Sequence, residues 1–464
     1  MAVWSAVRLS RLGGRMRIDP EFYQPHLLTY ERELAQSGLS VVPLGSLAIH
    51  GYRVIYENTE IIEEPEDVTR YVRFLQAAQL ESGFPSISHA ALGWVSRSDW
   101  NRYPQGRIRP GEILIEVKGS AEKVAIVPED FPNETLVTGT LFKLTANSAL
   151  VDSHYLLSYL LSKYGKGFRE RCLTNTLIGF VSKEELYAIP VPLPPKSVQK
   201  RIGDTVRKAI AQHSAFIAGI RDAETLVADT LGLHELDTTP TTTYSRKFSD
   251  LNAANRFGAE YFMPSKQRAL DALASKSSGT LSEHYSSVRK LFDAADADPG
   301  DSVRNFDLTE ALEPVLDDRV PPMLAGEVGS IKKYFETNDV VISRLRSYLK
   351  EIALVRTSDT TPSVGSSEFI VLRSRVQNNA LTPEALLIYL RSLPVQTVLK
   401  WSQDGSQHPR FNEADLLAIP VPIVILKMSH DLRHLVNRAL EARSDAITLL
   451  DNAQAEIERL VYSE

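Results

Sequence analysis

A single cysteine, Cys172, among 464 residues excludes a disulfide within the chain and a thiolate metal cluster, and it suits a reducing compartment. Long apolar runs are missing as well. No stretch approaches the length needed to cross a bilayer, and the first residues lack the apolar core of a secretory signal. A cytoplasmic chain without membrane contact is expected. Positive charge is in deficit: 52 Lys and Arg stand against 58 Asp and Glu, a formal net charge of −6. That deficit weighs against nucleic-acid binding by the chain as a whole. It leaves room for a local basic surface, because phosphate responds to the nearest charges rather than to the total. No glycine-rich cofactor loop or Walker sequence is present, so no cofactor is expected.

What the chain does contain, it contains twice. Leu186-Tyr187-Ala188-Ile189-Pro190-Val191-Pro192 and Leu416-Leu417-Ala418-Ile419-Pro420-Val421-Pro422 agree at six of seven positions. Each proline fixes its own φ and pushes the residue before it out of the α region, so this lead-in is extended and no helix begins before Pro195. From Lys196 the periodicity changes. Val198, Ile202, Val206, Ala209 or Ile210, His213, Phe216 or Ile217, Ile220, Ala223, Val227 and Leu231 recur every three or four residues, an apolar seam on one long helix. Leu432, Leu435 or Val436, Ala439 or Leu440, Ala446, Leu449 or Leu450, Ala453, Ile457 and Leu460 form a second seam behind the second lead-in. One long helix with a single apolar stripe is poorly stable alone, but two can close on each other as a coiled coil. Each must leave its own domain and end near the other. The pair is therefore expected to be antiparallel, with Val198, Ile202, Phe216 and Ile220 against Leu435, Ala439, Leu449 and Ala453.

The repeat extends upstream. Arg17-Ile18-Asp19-Pro20-Glu21-Phe22-Tyr23-Gln24-Pro25 opens the first copy and Arg256-Phe257-Gly258-Ala259-Glu260-Tyr261-Phe262-Met263-Pro264 the second, each leading into a helix. Gly111-Glu112-Ile113-Leu114-Ile115 parallels Asn338-Asp339-Val340-Val341-Ile342, a turn into a buried strand. Val124-Ala125-Ile126-Val127 likewise parallels Ile352-Ala353-Leu354-Val355. Leu156-Leu157-Ser158-Tyr159-Leu160-Leu161-Ser162 matches Leu386-Leu387-Ile388-Tyr389-Leu390-Arg391-Ser392 at five of seven positions, and the 32 residues from Leu156 to Ala188 equal those from Leu386 to Ala418. Shared order with shared spacing marks two copies of a domain plus helix, at a period of about 230 residues that is far too long for a solenoid. The threonine-rich stretch from Leu236 to Ser249 reads as the linker. These features divide the chain into a first domain over residues 1–195, a helix over 196–235, a linker over 236–255, a second domain over 256–426 and a second helix over 427–464.

At these residues the chain resembles the specificity (S) subunit of type I restriction–modification enzymes. The resemblance covers essentially the whole chain. It lies in the opening Arg…Glu-aromatic-aromatic…Pro, in Gly111-Glu112-Ile113-Leu114-Ile115…Gly119-Ser120…Lys123-Val124-Ala125, and in Ile189-Pro190-Val191-Pro192-Leu193-Pro194-Pro195 followed by Gln199-Lys200-Arg201-Ile202. In the second half it lies in Ile342-Ser343-Arg344-Leu345-Arg346 and Phe411-Asn412-Glu413-Ala414-Asp415-Leu416. Pro420-Val421-Pro422-Ile423-Val424 departs from the pattern, lacking the double proline and any following Gln-Lys-Arg-Ile. The resemblance implies an α+β fold: two target-recognition-type α/β domains in pseudo-two-fold repeat, joined by two long antiparallel coiled-coil helices. It implies a non-catalytic, sequence-specific DNA-binding subunit for a bipartite site on double-stranded DNA. The implied partners are two adenine-methyltransferase (modification) subunits and a motor-nuclease (restriction) subunit, in a phage-defence system. The first helix, roughly 35 residues or on the order of 50 Å, approximates one and a half turns of B-DNA, a spacing that suits two separated half-sites.

Three stretches concentrate positive charge within this acidic chain. Residues 97–109 carry Arg97, Arg102, Arg107 and Arg109 against Asp99; residues 163–171 carry Lys163, Lys166, Arg169 and Arg171 against Glu170; residues 332–350 carry Lys332, Lys333, Arg344, Arg346 and Lys350 against Glu336 and Asp339. Arginine can take guanine O6 and N7 in a fork and lysine anchors phosphate, whereas the bland alternative is a solvated surface. Placement in the mixed regions, away from the helical seams, favours DNA contact. The candidate DNA-binding residues are Tyr52, Arg53, Arg107, Lys118, Lys123, Lys166, Arg169, Arg171, Lys332, Lys333, Arg344, Arg346, Lys350, Gln407 and Arg410, with Asn175 and His408 as weaker additions. Arg344 and Arg346 stand two apart just beyond a strand, where alternation would point both to one face and let one read a base edge. Acidic stretches, six acids from Glu57 to Asp67 and four from Asp293 to Asp301, must lie off the DNA or face basic groups.

Signatures of catalysis are scarce. Glu116-Val117-Lys118 imitates the Glu-x-Lys half of a metal-dependent nuclease, but its repeat counterpart Ser343-Arg344-Leu345 has no carboxylate. His430 and His434 have the spacing of a zinc-protease helix with Asp431 where the glutamate belongs, and polar helix surface is the simpler reading. His213 reads as a packed histidine of the seam. The Asn-Pro-Pro-aromatic tetrapeptide of adenine methyltransferases is absent, since Pro321-Pro322-Met323 and Pro194-Pro195-Lys196 lack both the polar residue and the aromatic. Besides a DNA-specificity subunit, two rival readings remain. One is a coiled-coil scaffold assembling protein partners, favoured by the charge of −6. The other is a nuclease built on Glu116.

Overall fold

The computed structural model describes residues 7, 19–81, 83–88, 92–174, 179–232, 236–254, 256–405 and 407–462. Arg17 and Ile18 of the opening motif, and Asn175, lie outside the described residues. The chain forms two compact units, residues 1–214 with 443–464 and residues 215–442. Both long helices, Lys196–Leu231 and Ser429–Tyr462, therefore contribute one end to each unit. No helix among the described residues is long and apolar enough to cross a membrane.

In the first unit a four-stranded sheet runs in the order Ala48–Tyr52, Leu141–Ala146, Ile113–Glu116, Val124–Ile126. All four residues of Ile113–Glu116 are buried, which is why Ile113, Leu114 and Ile115 are successive apolar residues rather than an alternating pattern, with the buried Glu116 closing the strand. A three-stranded sheet orders Gly93–Ser96, Tyr71–Leu75 and Thr135–Val137, the last two parallel. The proline lead-in Pro190–Leu193 is extended as expected and pairs antiparallel with Ser40–Pro43. A two-stranded ribbon suits prolines, which have no N–H to give a central ladder. Helix Ser153–Leu161 is capped by the Asp152 carboxylate, which accepts from the His154 and Tyr155 N–H groups. Its Tyr159 hydroxyl donates to the Pro190 carbonyl, tying helix to lead-in.

The second unit repeats this plan. Tyr285–Val288, Phe369–Ser374, Val340–Ser343 and Ile352–Arg356 reproduce the four-strand order, extended by Val315–Asp317. A second five-stranded sheet orders Leu291–Phe292, Lys332–Phe335, Ser363–Ser366, Ser302–Phe306 and Met323–Leu324. Pro420–Pro422 pairs with Ser277–Thr280, and the Tyr389 hydroxyl donates to the Pro420 carbonyl just as Tyr159 does to Pro190. The turns before the buried strands also agree. Gly111 and Asn338 adopt left-handed φ values of 79° and 75°, the region these two residue types enter most cheaply. Glu112 and Asp339 then accept the N–H three residues back, from Arg109 at 2.8 Å and Glu336 at 2.7 Å.

The helical seams close as expected within each unit. In the first, Ile202 and Val206 share a core with Ala453, Ile457 and Val461, while Ala209 packs with Ala446 and Leu450. Rising numbers on one helix meet falling numbers on the other, so the pair is antiparallel there. In the second, Phe216 and Ile220 share a core with Leu432, Val436 and Ala439, and a Cβ on Gly219 would stand 2.9 Å from that of Ala439. His213 is a packed seam residue: its ring stacks on Phe84 with centroids 4.1 Å apart, and Nε2 lies 3.1 Å from Glu81.

Candidate nucleic-acid interface

Backbone hydrogen bonds hang the loop after each buried strand from matched points. In the first unit the Val117 N–H donates to Thr140 O at 3.0 Å, the Gly119 N–H to Gly179 O at 3.0 Å and the Val181 N–H to Val117 O at 2.9 Å. In the second, Arg344 N–H donates to Glu368 O at 3.1 Å, Arg346 N–H to Pro409 O at 3.0 Å and Phe411 N–H to Arg344 O at 3.1 Å. These bonds equate Val117 with Arg344, Gly119 with Arg346 and Thr140 with Glu368. The isolated bridges Lys118 to Phe180 and Leu345 to Arg410 equate Phe180 with Arg410.

The side chains on the second frame are strongly charged. Arg344 Nε donates to Glu368 Oε2 at 2.9 Å, and Arg410 forks onto the same carboxylate with Nη2 at 2.8 Å from Oε1. Arg410 first, with Arg344 behind it, holds the Glu368 carboxyl down to about 2 although burial works the other way. The sequence thus placed Arg344 and Arg410 as separate candidates, and the fold brings them together around Glu368. Arg289 pairs with Glu413 at 2.7 Å, and Lys333 donates to Phe369 O at 2.6 Å. Burial first, then the nearby charge of Arg344, lowers the Lys333 ammonium. Arg289, Lys333, Arg344 and Arg410 gather around Glu368 and Glu413, while Arg346 acts on the buried Glu351. Gln407, His408 and Lys350 are exposed beside them, and Arg346 Nη2 lies 3.4 Å from His408 Nδ1.

The expectation that Arg344 and Arg346 share a face by strand alternation is corrected. The strand ends at Ser343, whose hydroxyl bonds to Leu345, and Arg346 sits at φ 49° in the left-handed region. Alternation requires extended backbone, which stops before either arginine. Lys332 is also removed from the surface: it is buried, with Nζ 3.3 Å from Asp307.

The first frame is mostly uncharged. Arg53 lies over the Phe180 ring at 4.7 Å, Tyr52 is exposed beside it, and Lys118 is exposed at the loop. Lys123 Nζ donates to Ala77 O at 3.1 Å. Two arginines of the basic stretch 97–109 are spent on acids, Arg97 on Glu134 at 2.8 Å and Arg102 on Glu57 at 3.0 Å, and Arg107 stacks on Trp100 at 4.3 Å. Glu57 belongs to the acidic stretch, and it meets a basic group of its own unit, Arg102. In 163–171, Lys166 is exposed, but Arg169 and Arg171 are not surface cations. Arg169 is 2% exposed and donates to the Ala121 and Leu160 carbonyls, and burial lowers it to about 10. Arg171 pairs with Glu31, donates to Phe22 O at 2.7 Å and lies over the Phe22 ring. Both guanidiniums hold the core shut.

The Glu116 carboxylate is equally committed. Its Oε2 accepts from Ser120 Oγ at 3.1 Å, Glu122 N–H at 3.2 Å and Lys123 N–H at 3.3 Å, fastening the loop in which Ala121 takes a left-handed φ. His430 and His434 face each other across 2.9 Å between Nε2 atoms. Among the described residues no group of three or more His, Cys, Asp or Glu could hold a metal ion. Sequence reasoning missed Arg289 and Glu368. Arg289 could have been found, because it follows the strand Tyr285–Val288 as Arg53 follows Ala48–Tyr52. Glu368 had no such signal, since its counterpart is Thr140.

Fold and surface together define a class, a duplicated α+β chain whose units present matched loops with unmatched side chains. Solved structures of similar chains exist. Over 92% of its length the chain is similar to the HsdS subunit from Thermoanaerobacter tengcongensis, covering 97% of that chain at 15% identity and a TM-score of 0.30. It is similar over 92% of its length to the type I restriction-modification system S subunit from M. genitalium, covering 97% of that chain at 13% identity and a TM-score of 0.44. A third similar chain, from work on complex assembly and conformational transition of the type I restriction-modification system, shows 14% identity, 92% and 98% coverage and a TM-score of 0.29. No family model matches the sequence, and no curated protein does. Likeness at this level of identity carries no function with it.

Proposed function

We propose that this chain is a non-catalytic DNA-specificity subunit of a type I restriction–modification system. Each unit reads one half of a bipartite site on double-stranded DNA, and the chain directs two modification subunits and a restriction subunit to it in the cytoplasm. One observation carries the reading: the two units keep the same backbone hydrogen bonds around the loop while exchanging Val117, Thr140 and Phe180 for Arg344, Glu368 and Arg410. A frame held constant under a changed side-chain set is what two readers of different sequences require. Lys118, Arg53 and Tyr52 serve the first unit; Lys333, Arg344, Arg346, Lys350, Gln407 and Arg410 serve the second. The bonds that occupy Glu116 favour this over nuclease chemistry. The test is to capture the chain from its native cell with its bound subunits and select duplexes from a random pool. Two short conserved sequences separated by unread base pairs are expected. A complex that retains no DNA, or Mg²⁺-dependent cutting by the chain alone that Glu116→Ala abolishes, would sink the proposal.

A further inference from the structure

Arg344 and Arg410 share a carboxylate, but they use it differently. Arg410 is engaged at all three nitrogens: Nε and Nη2 bond Glu368, and Nη1 donates to His408 O at 3.1 Å. Arg344 gives Glu368 only its Nε, and among the described residues its Nη1 and Nη2 have no partner. Its side chain is 43% exposed, so that end of the guanidinium faces solvent. Glu368 in turn is fixed by Arg410 and remains ionised down to about pH 2. The backbone on either side is fixed as well, by the Arg344 N–H bond to Glu368 O and the Arg344 carbonyl bond from Phe411. A long side chain normally loses much rotamer freedom on binding; here the loss is already taken in the free protein.

We infer that Arg344 is a guanine-reading residue of the second unit, with Glu368 and Arg410 as positioning residues that hold its free fork outward. This rests on the DNA-binding reading above and deepens it. The chemistry selects the base. Two parallel N–H donors match guanine, which offers two acceptors, O6 and N7, on its major-groove edge. Adenine offers N7 beside an amino donor, thymine one acceptor beside a methyl, and cytosine only a donor, so each leaves at least one N–H unmatched. Glu368 does not compete for cytosine, because both its oxygens are already engaged. In the first unit Val117 occupies the equivalent position and is buried, so the contact belongs to one half-site only.

The experiment selects duplexes from a random pool with the full chain bound to its native partner subunits, comparing wild type with Arg344→Ala, Arg344→Lys and Glu368→Gln. Affinities are then titrated at several salt concentrations. Wild type should require guanine at one position of one half-site. Arg344→Ala should lose that preference with roughly a 5- to 150-fold drop in affinity for the guanine site, the equilibrium equivalent of one good bidentate contact. Arg344→Lys keeps the charge and the fold but lacks the fork, so the same preference should vanish while the other half-site stays unchanged. Glu368→Gln should weaken the preference without moving it. Unchanged preference in Arg344→Lys, or a uniform loss in Arg344→Ala with a shallower salt dependence, would make Arg344 a phosphate contact or a bystander and overturn the inference while leaving DNA specificity intact. No enriched sequence even in wild type would overturn both.

Discussion

The loop after Ile113–Glu116 and the loop after Val340–Ser343 hang from the same backbone donors and acceptors, yet the first is lined by Val117, Thr140 and Phe180 and the second by Arg344, Glu368 and Arg410. The difference teaches what each copy of a duplicated fold must keep. Ladder bonds are obligatory, because a buried backbone group without a partner is costly, so they persist in both copies. Side chains around the loop carry no such obligation and diverge. The same contrast recurs in the interior at lower amplitude. Glu112 is neutralised by Lys143 at 3.2 Å and Asp339 by Arg373 at 2.7 Å, so a buried acid keeps a cation from the neighbouring strand while the cation changes type and position.

Swapping residues between equivalent positions is the most direct way to break this comparison. Gly165 and Val395 are both the third residue after the serine at the N-terminal boundary of their helix, Ser162 or Ser392. A Cβ at Gly165 would stand 2.2 Å from Tyr159 O and 2.5 Å from Leu160 Cα, whereas Val395 is fully buried without such a clash. Gly165→Val should destabilise the first unit by about 3 kcal/mol, seen as lost hydrogen-exchange protection over Ser153–Leu161. Normal protection there would mean the two helix pairs pack alike after all.

Lys266 offers a swap that should stabilise. It is the third residue of helix Pro264–Ala274, where helix Pro25–Gln36 has the buried Leu27. Its Nζ is buried without a hydrogen-bond partner among the described residues, 3.3 Å from the Tyr261 ring centroid, and burial lowers it to about 8. Between about pH 8 and the ordinary lysine value of 10.5 the unfolded chain holds a proton that the folded chain has released, so stability rises with pH across that window. Lys266→Leu should raise stability at pH 7 by about 1–2 kcal/mol and flatten that rise. Denaturant unfolding at pH 7, 9 and 10.5 checks it, and a destabilised variant would show that the cation over Tyr261 outweighs its desolvation.

The smallest effect belongs to the rim of the helix pair. Arg201 bonds Glu456 with its side chain 62% exposed, so Arg201→Ala should change stability by less than about 0.5 kcal/mol in a melting experiment. A larger loss would mean that the seam of Ile202, Val206, Ala453 and Ile457 depends on its polar border.

Much of the fold was legible because it rests on local rules. The prolines at 190 and 192 dictate an extended lead-in, and three-four spacing from Val198 dictates a helix, whatever surrounds them. The helix seams could be paired by number because each must bury its stripe. The candidate surface was less legible. Positive runs in the sequence counted charges without their partners, so Arg97 and Arg102 looked available when Glu134 and Glu57 lay opposite them, and Arg169 and Arg171 looked exposed when they stapled the core. Strand alternation was projected past Ser343, where the chain has already turned.

By itself the sequence determined the duplication, the buried strands after Gly111 and Asn338 and the two amphipathic helices. These are written in the order of side chains along a short stretch, where propensity and periodicity act on neighbours. Only the tertiary structure decided which cations remain free. The Glu368 carboxylate reaches Arg344 and Arg410 from a third segment of chain, 24 and 42 residues away. An ion pair is set by distance in space, its energy weakening as the charges separate, and no pattern along the chain encodes that distance.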